Sequence, residues 1–197
     1  MSRDARFEEQ AQALGYRFDG EIKIGGNYVP LVRDGHHIYL SGQIPRVGDT
    51  AHSFMLVDTQ LQDVPLSKFW GKRKLIAVAP SMDAAIGLEI ARHLEALADE
   101  LDNTVVMTVS VDTPYALSRI GEAEGFRKLY LLSTLRGRDF HKDYGVMITD
   151  VPLSGLMATA LFTLNANDEI LYAELVSDIN SEPNYQAAIE PLQRAEG

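Results

Sequence analysis

Cysteine is missing from the sequence altogether. That absence excludes disulfides, thiolate metal sites, cysteine nucleophiles and any thiol redox cycle carried by this chain alone. Basic residues are in short supply: 18 Lys and Arg face 28 Asp and Glu, a formal charge of −10. A surface of that sign repels phosphate backbones, so no nucleic-acid partner is expected. No apolar run approaches the ~18–20 residues that a membrane span requires. The stretch Met1–Gln12 carries Arg3, Asp4, Arg6, Glu8 and Glu9 and no apolar core of a leader peptide. The expectation is a soluble, cytoplasmic protein away from membranes. Tight metal-ligand spacing is also lacking. His36 and His37 are adjacent, which on a strand sends them to opposite faces. His52, His93 and His141 are isolated, and His93, one turn after Glu89, reads as a solvated helix partner. Glycines such as Gly25-Gly26 do not open a helix with phosphate-loop spacing. Neither metal nor cofactor is expected. The acidic stretch 168–196 reads as a solubilising face.

What is present is ordinary for a folded chain: 197 residues, 46% hydrophobic and 23% charged, enough for one domain with an appendage. Residues 4–14 read as a short helix stopped by Gly15, and 16–27 as a loop. Strand-like runs 28–33 and 37–41 flank Asp34-Gly35, a strong hairpin signal. From Thr50 strands and helices alternate. Strands are expected over 54–57, 75–79, 104–111 and 129–132, with a closing hairpin of 158–164 and 170–176. Helices are expected over 82–101, 114–124, 138–144 and 184–194, and a helical turn over 66–70. Thr113 followed by Pro114 is an N-cap with proline in the first helical position, and Gly125 is the stop. On 82–101 the apolar face is Ala91, Leu94, Leu97, Ala98 and Leu101. Lys72-Arg73-Lys74 reads as a solvated basic corner. Buried strands interleaved with helices imply an α/β sandwich.

Several stretches, in order, carry a family resemblance: Ile44-Pro-Arg-Val-Gly-Asp49, Phe69-Trp-Gly-Lys-Arg-Lys74, Pro80-Ser-Met-Asp83, Asp102-Asn-Thr-Val-Val106, Tyr144-Gly-Val146 and Pro152-Leu-Ser-Gly-Leu156. Residues from about 35 to 192 resemble the bacterial thiol peroxidases, which are atypical two-cysteine peroxiredoxins. The resemblance implies a thioredoxin-like sandwich and a homodimer. It also implies a peroxide site whose residues have changed. In that family the loop after the central strand reads Pro, three residues, Thr, two residues, Cys. Here Pro80 stays, the Thr position is Ala84 and the peroxidatic Cys position is Gly87. The resolving Cys falls on Gly121 and the active-site Arg on Thr159. Gly87 offers no nucleophile, Ala84 no hydroxyl and Thr159 no cation for the charge that develops as the O–O bond breaks. The losses are mutually consistent, because an arginine kept beside an absent thiolate would be a costly unpaired charge. Met82 and Met157 flank this vestigial pocket by homology and are assigned to packing. Gly87 within a helix implies a distorted first turn, a neighbour packed over the bare backbone, or a small cavity.

The stretch Asn27–Pro45 resembles the opening of the Rid family of enamine and imine deaminases, with Tyr28 and Ser41 at positions that line that family's pocket. The Arg that binds the substrate carboxylate in that family belongs to a C-terminal half that has no counterpart here. The resulting division is an N-terminal helix and β-hairpin extension, 1–48, followed by a thioredoxin-fold domain, 49–197. The leading expectation is a non-catalytic pseudo-peroxidase that acts by binding a protein partner or a small ligand. The alternatives are a Rid-like deaminase and a recombined chain with no selected activity.

Overall fold

The computed structural model describes residues 31–33, 36–137 and 139–194. The helix read at 4–14, the loop at 16–27 and Tyr28 lie outside the described residues. Short strands β1 (Leu31–Arg33) and β2 (His36–Ile38) pair antiparallel. The strand-like run read at 37–41 divides after Ile38. Its end forms β3 (Leu40–Ser41), which pairs instead with β9 (Met147–Ile148).

The main sheet contains β4 (Met55–Val57), β5 (Asp63–Pro65), β6 (Arg73–Val78), β7 (Thr104–Ser110), β8 (Tyr130–Ser133), β10 (Ala160–Leu164) and β11 (Ile170–Leu175). Their order across the sheet is β11-β10-β6-β7-β8-β4-β5. The central β6, β7 and β8 are parallel and their flanking pairings are antiparallel. Both faces are covered, which is why the central strands read as unbroken apolar runs. On one face Leu75, Ala77 and Ala79 pack with Ile90, Ala91 and Leu94 of α1 (Ala85–Glu100), Leu117 and Ile120 of α2 (Pro114–Glu124) and Ala188 and Ile189 of α4 (Tyr185–Arg194). On the other, Ile76 and Val78 pack with Phe54, Phe140, Tyr144 and Phe162. Phe140 belongs to the short helix α3 (Phe140–Asp143). Strands β5 and β9 escape sequence reading because three-residue and two-residue strands are too short to show alternation.

Local chemistry explains the boundaries. The Thr113 hydroxyl accepts the Ala116 N–H at 3.4 Å, Pro114 opens α2, and Gly125 closes it at φ +73°. Leu66–Phe69 forms a 3-10 turn. In the β10–β11 connection the Asn165 side-chain oxygen accepts the N–H groups of Asn167 and Glu169 at 2.9 and 3.0 Å, an Asx turn. Segment 42–44 crosses α3 so closely that two glycines are needed. A Cβ at Gly42 would stand 2.3 Å from the Lys142 carbonyl oxygen, and one at Gly145 2.3 Å from the Ile44 amide nitrogen; both have positive φ. With β3 on β9, this crossing ties residues 40–44 to the sheet domain across residue 48.

The basic run 72–74 is not a solvated corner. Lys72 is exposed, but Arg73 donates to the backbone carbonyls of Leu192 and Asp102. Lys74 is fully buried and ion-paired with Asp168. Alternation along β6 sends Lys74 inward beside Ile76, and Asp168 at the hairpin tip supplies the countercharge that such burial demands. Nearby, Tyr144 is fully buried and its hydroxyl donates to the His52 carbonyl at 2.7 Å. Burial first, then the charges of Asp168 and Asp143, push its phenol well above the ordinary range. No helix among the described residues is long and apolar enough to cross a membrane.

Candidate functional site

Four of the positions singled out in the sequence, Pro80, Ala84, Gly87 and Thr159, lie about the C-terminal end of β6. Pro80 is buried immediately after the strand. Residues 81–84 then turn, and α1 begins at Ala85, three residues later than its apolar pattern implies. The delay has a cause in Asp112, just beyond β7. Its carboxylate accepts the Ser81 hydroxyl at 2.8 Å, the Met82 N–H at 2.6 Å and the Ser110 hydroxyl at 2.7 Å. The Ser81 hydroxyl also accepts the Asp83 N–H at 3.1 Å. These bonds commit residues 81–83 to a turn. Met82 is drawn into the core, 1% exposed, and Asp83 meets Arg119 of α2 at 3.2 Å.

Ala84 is the N-cap of α1, and its side chain makes no capping bond to the helix amides. Gly87, in the first turn, is buried. Of the three outcomes open for this glycine, the structure shows the second, a neighbour packed over bare backbone. A Cβ at Gly87 would stand 2.0 Å from the Ser81 carbonyl oxygen and 3.1 Å from the Met82 Cα. The Cα–H that takes its place points at that carbonyl, a weak C–H···O contact.

Thr159 precedes β10, whose first residue, Ala160, pairs with Val78. Strand alternation puts it on the helix-covered face with Leu161 and Thr163. It is fully buried, and its hydroxyl has no hydrogen-bond partner among the described residues. Pro80, Ala84, Gly87 and Thr159 thus surround one end of β6 and the start of α1. Gly121 stands apart on α2, where an added Cβ would meet only the end of the Leu131 side chain, at 3.0 Å. Ser41 sits in β3 opposite Met147.

Two further expectations need correction, and one residue was missed. Met82 and Met157 do not flank one pocket: Met82 packs on the α1 face of the sheet and Met157 on the opposite one. His93 is no mere partner of Glu89. Its Nδ1 lies 2.8 Å from Glu182, and its ring stacks on Tyr185 at 4.7 Å. Asp112, which organises the loop, was not singled out in the sequence. Its signal was available: a carboxylate closing an apolar strand, two residues after Ser110 and directly before the Thr113 cap.

The arrangement offers uncapped helix amides and hydroxyls beside a carboxylate. It holds no group that can pass between thiolate, sulfenic acid and disulfide. Comparison with known proteins gives the scaffold its kinship. The redoxin family matches residues 46–189. Thiol peroxidases of Streptococcus sanguinis and Streptococcus gordonii are each 39% identical over 159 residues, which cover 81% of this chain and 96% of theirs. Among solved structures, a thiol peroxidase from Chromobacterium violaceum superposes with a TM-score of 0.79 at 35% identity, covering 86% of this chain and 97% of that one. A peroxiredoxin-like protein from Aquifex aeolicus does so with a TM-score of 0.78 at 28% identity, covering 85% and 96%. On this evidence the chain belongs to the redoxin family, as a cysteine-free member of its thiol peroxidase group.

Proposed function

We propose that this protein is a pseudo-peroxidase, a homodimer that has given up peroxide reduction and acts through binding a protein partner or a small ligand. The observation that carries the reading is the closed backbone at Gly87. The chain has no cysteine, and the space a side chain would need at Gly87 is held by the Ser81 carbonyl. The position read as peroxidatic has lost both its sulfur and its room. The same reading accounts for Ala84 and Thr159. A hydroxyl at 84 and a cation at 159 serve a thiolate and a breaking O–O bond; without them an arginine at the buried Thr159 position would be an uncompensated charge. The seryl and threonyl hydroxyls do not substitute, since an alcohol forms no disulfide for a thioredoxin to reduce. Met82 is 1% exposed, and thioether oxidation needs its own reductase to turn over.

The test is a coupled assay with thioredoxin, thioredoxin reductase and NADPH, run with hydrogen peroxide and an organic hydroperoxide. The expected rate equals the protein-free blank. A reproducible protein-dependent rate would overturn the reading. Sedimentation velocity at micromolar concentration tests the dimer, which a monomer alone would refute.

A further inference from the structure

At the other end of β6, about 20 Å along the strand from Pro80, a turn brings together aromatic and basic side chains. We propose that Trp70, Tyr130, Lys68 and Lys72 form a docking surface for an acidic segment of a partner protein. Trp70 is the single tryptophan of the chain and is 66% exposed. It is held out by a fixed turn: its N–H donates to the Ser67 carbonyl at 3.2 Å, the Gly71 N–H to the Ala166 carbonyl at 3.2 Å and the Lys72 N–H to the Phe69 carbonyl at 3.1 Å. Gly71 at φ +79° makes the turn possible. Phe69, buried next to Trp70, meets the Tyr130 ring edge-on at 5.1 Å, and Tyr130 is partly exposed. The Lys68 ammonium is positioned over both rings, 5.8 Å from Phe69 and 5.7 Å from Tyr130.

Charge selects the partner. Arg92, Arg119, Lys128 and Arg136 are exposed cations that each sit on a carboxylate. Lys68 and Lys72 have no carboxylate partner among the described residues, a state they share with the exposed Arg46, Arg127 and Lys142, but Lys68 also stands over aromatic rings. Two unneutralised cations within five residues of one turn, with the exposed Trp70 between them and the partly exposed Tyr130 under Lys68, form a local site for acidic and apolar side chains together on a chain of net charge −10. Solution salt confines that attraction to about 8 Å, so a short acidic segment feels the lysines more than the distant body. A polyanion the length of a nucleic acid would meet the repulsion of the whole surface. Tryptophan and tyrosine are also the residues on which interfaces most often concentrate their binding energy. The surface is remote from Gly87, so it stands or falls independently of the pseudo-peroxidase reading.

The experiment is fluorescence anisotropy of a fluorescein-labelled peptide of alternating Glu and Phe, titrated with the full chain at about 0.15 M salt. Emission from Trp70, the intrinsic reporter, is followed with unlabelled peptide. Saturable binding with a shift in Trp70 emission is expected. Trp70→Ala, and Lys68→Ala combined with Lys72→Ala, should each weaken binding at least tenfold with the melting temperature unchanged. Binding should also fall steeply between about 150 and 500 mM salt. The proposal is overturned by absence of binding, by variants that bind as the parent does, by equal affinity for a Lys/Phe peptide, or by equal affinity for an oligothymidylate. It is equally overturned if Trp70→Ala turns a dimer into a monomer, since a second copy would then be the occupant.

Discussion

Replacing Gly87 with alanine should destabilise the protein, against the ordinary trend for helices. In a helix interior that exchange favours alanine by about 1 kcal/mol. At Gly87 the new methyl would stand 2.0 Å from the Ser81 carbonyl oxygen, where ordinary contact begins near 3.4 Å. The obstacle is backbone, and it is anchored. Ser81 and Met82 are bound to Asp112, and Met82 is seated in the core. Relief means moving the loop, at about 1–3 kcal/mol for overpacking and about 1.5–3 kcal/mol for each bond to the carboxylate that is lost. With one such bond lost, a net loss of about 1.5–5 kcal/mol follows after the helical gain is subtracted. For a domain of this size that lowers the melting temperature by roughly 3–20 °C. Urea unfolding should show a lower midpoint with an unchanged slope. Gly121→Ala is the control. There only the flexible end of Leu131 must yield, so the exchange should be neutral or stabilising. If Gly87→Ala is as stable as the parent, the loop does not rest on Gly87 and the reasoning fails.

Asp168→Asn keeps a residue that tolerates the φ of +62° found there but strands the buried Lys74; a loss of about 3–5 kcal/mol in urea unfolding is expected, largely recovered by adding Lys74→Met. Glu95→Gln weakens a carboxylate that accepts the N–H groups of Arg127, Lys128 and Leu129; about 2 kcal/mol should be lost, with faster amide exchange confined to 127–129. The hydrogen bond from Arg92 holds the Glu124 carboxyl below its ordinary value, so this pair stabilises above the usual glutamate range near pH 4.3 and fades as pH falls below it. The stability difference between the parent and Arg92→Ala should accordingly be smaller at pH 3 than at pH 7. A thiol introduced as Gly87→Cys should consume peroxide in stopped flow no faster than a free thiol, since Ala84 and Thr159 supply neither of the missing supports and the Ser81 carbonyl occupies the space the side chain needs; a rate well above that of a free thiol would refute the assignment of these positions.

Most of the architecture was legible because its signals are local. Thr113-Pro114 and Gly125 bracket α2, and the two-sided burial of β6 and β7 shows as apolar runs. The misreadings occur where a distant residue decides the outcome. Lys74 looks solvated until Asp168, ninety-four residues on, is folded against it. His93 looks tied to its own helix until Glu182 and Tyr185 arrive from the C-terminal segment. The apolar pattern of α1 extends back to Met82, and only the hydrogen bonds to Asp112 explain why the helix does not. Met82 and Met157 are set together by the family resemblance, yet they lie on opposite faces of the sheet.

On the proposed reading of Gly87, chemical loss and structural closure are separate matters, and only the first can be read from residue types. Missing sulfur, hydroxyl and guanidinium groups can be counted from residue types. Closure depends on where the Ser81 carbonyl goes, and that is set by Asp112 together with the absence of a Cβ at 87. Those two causes reinforce each other. Asp112 draws residues 81–83 down through its carboxylate, and the bare Gly87 backbone lets the carbonyl settle where a side chain would have stopped it. A side chain at 87 and the loop as it stands therefore exclude one another. On the proposed reading of Pro80, Ala84, Gly87 and Thr159, return of peroxide chemistry would need the loop to open as well as the three side chains to be restored, because a Cβ at 87 meets the Ser81 carbonyl.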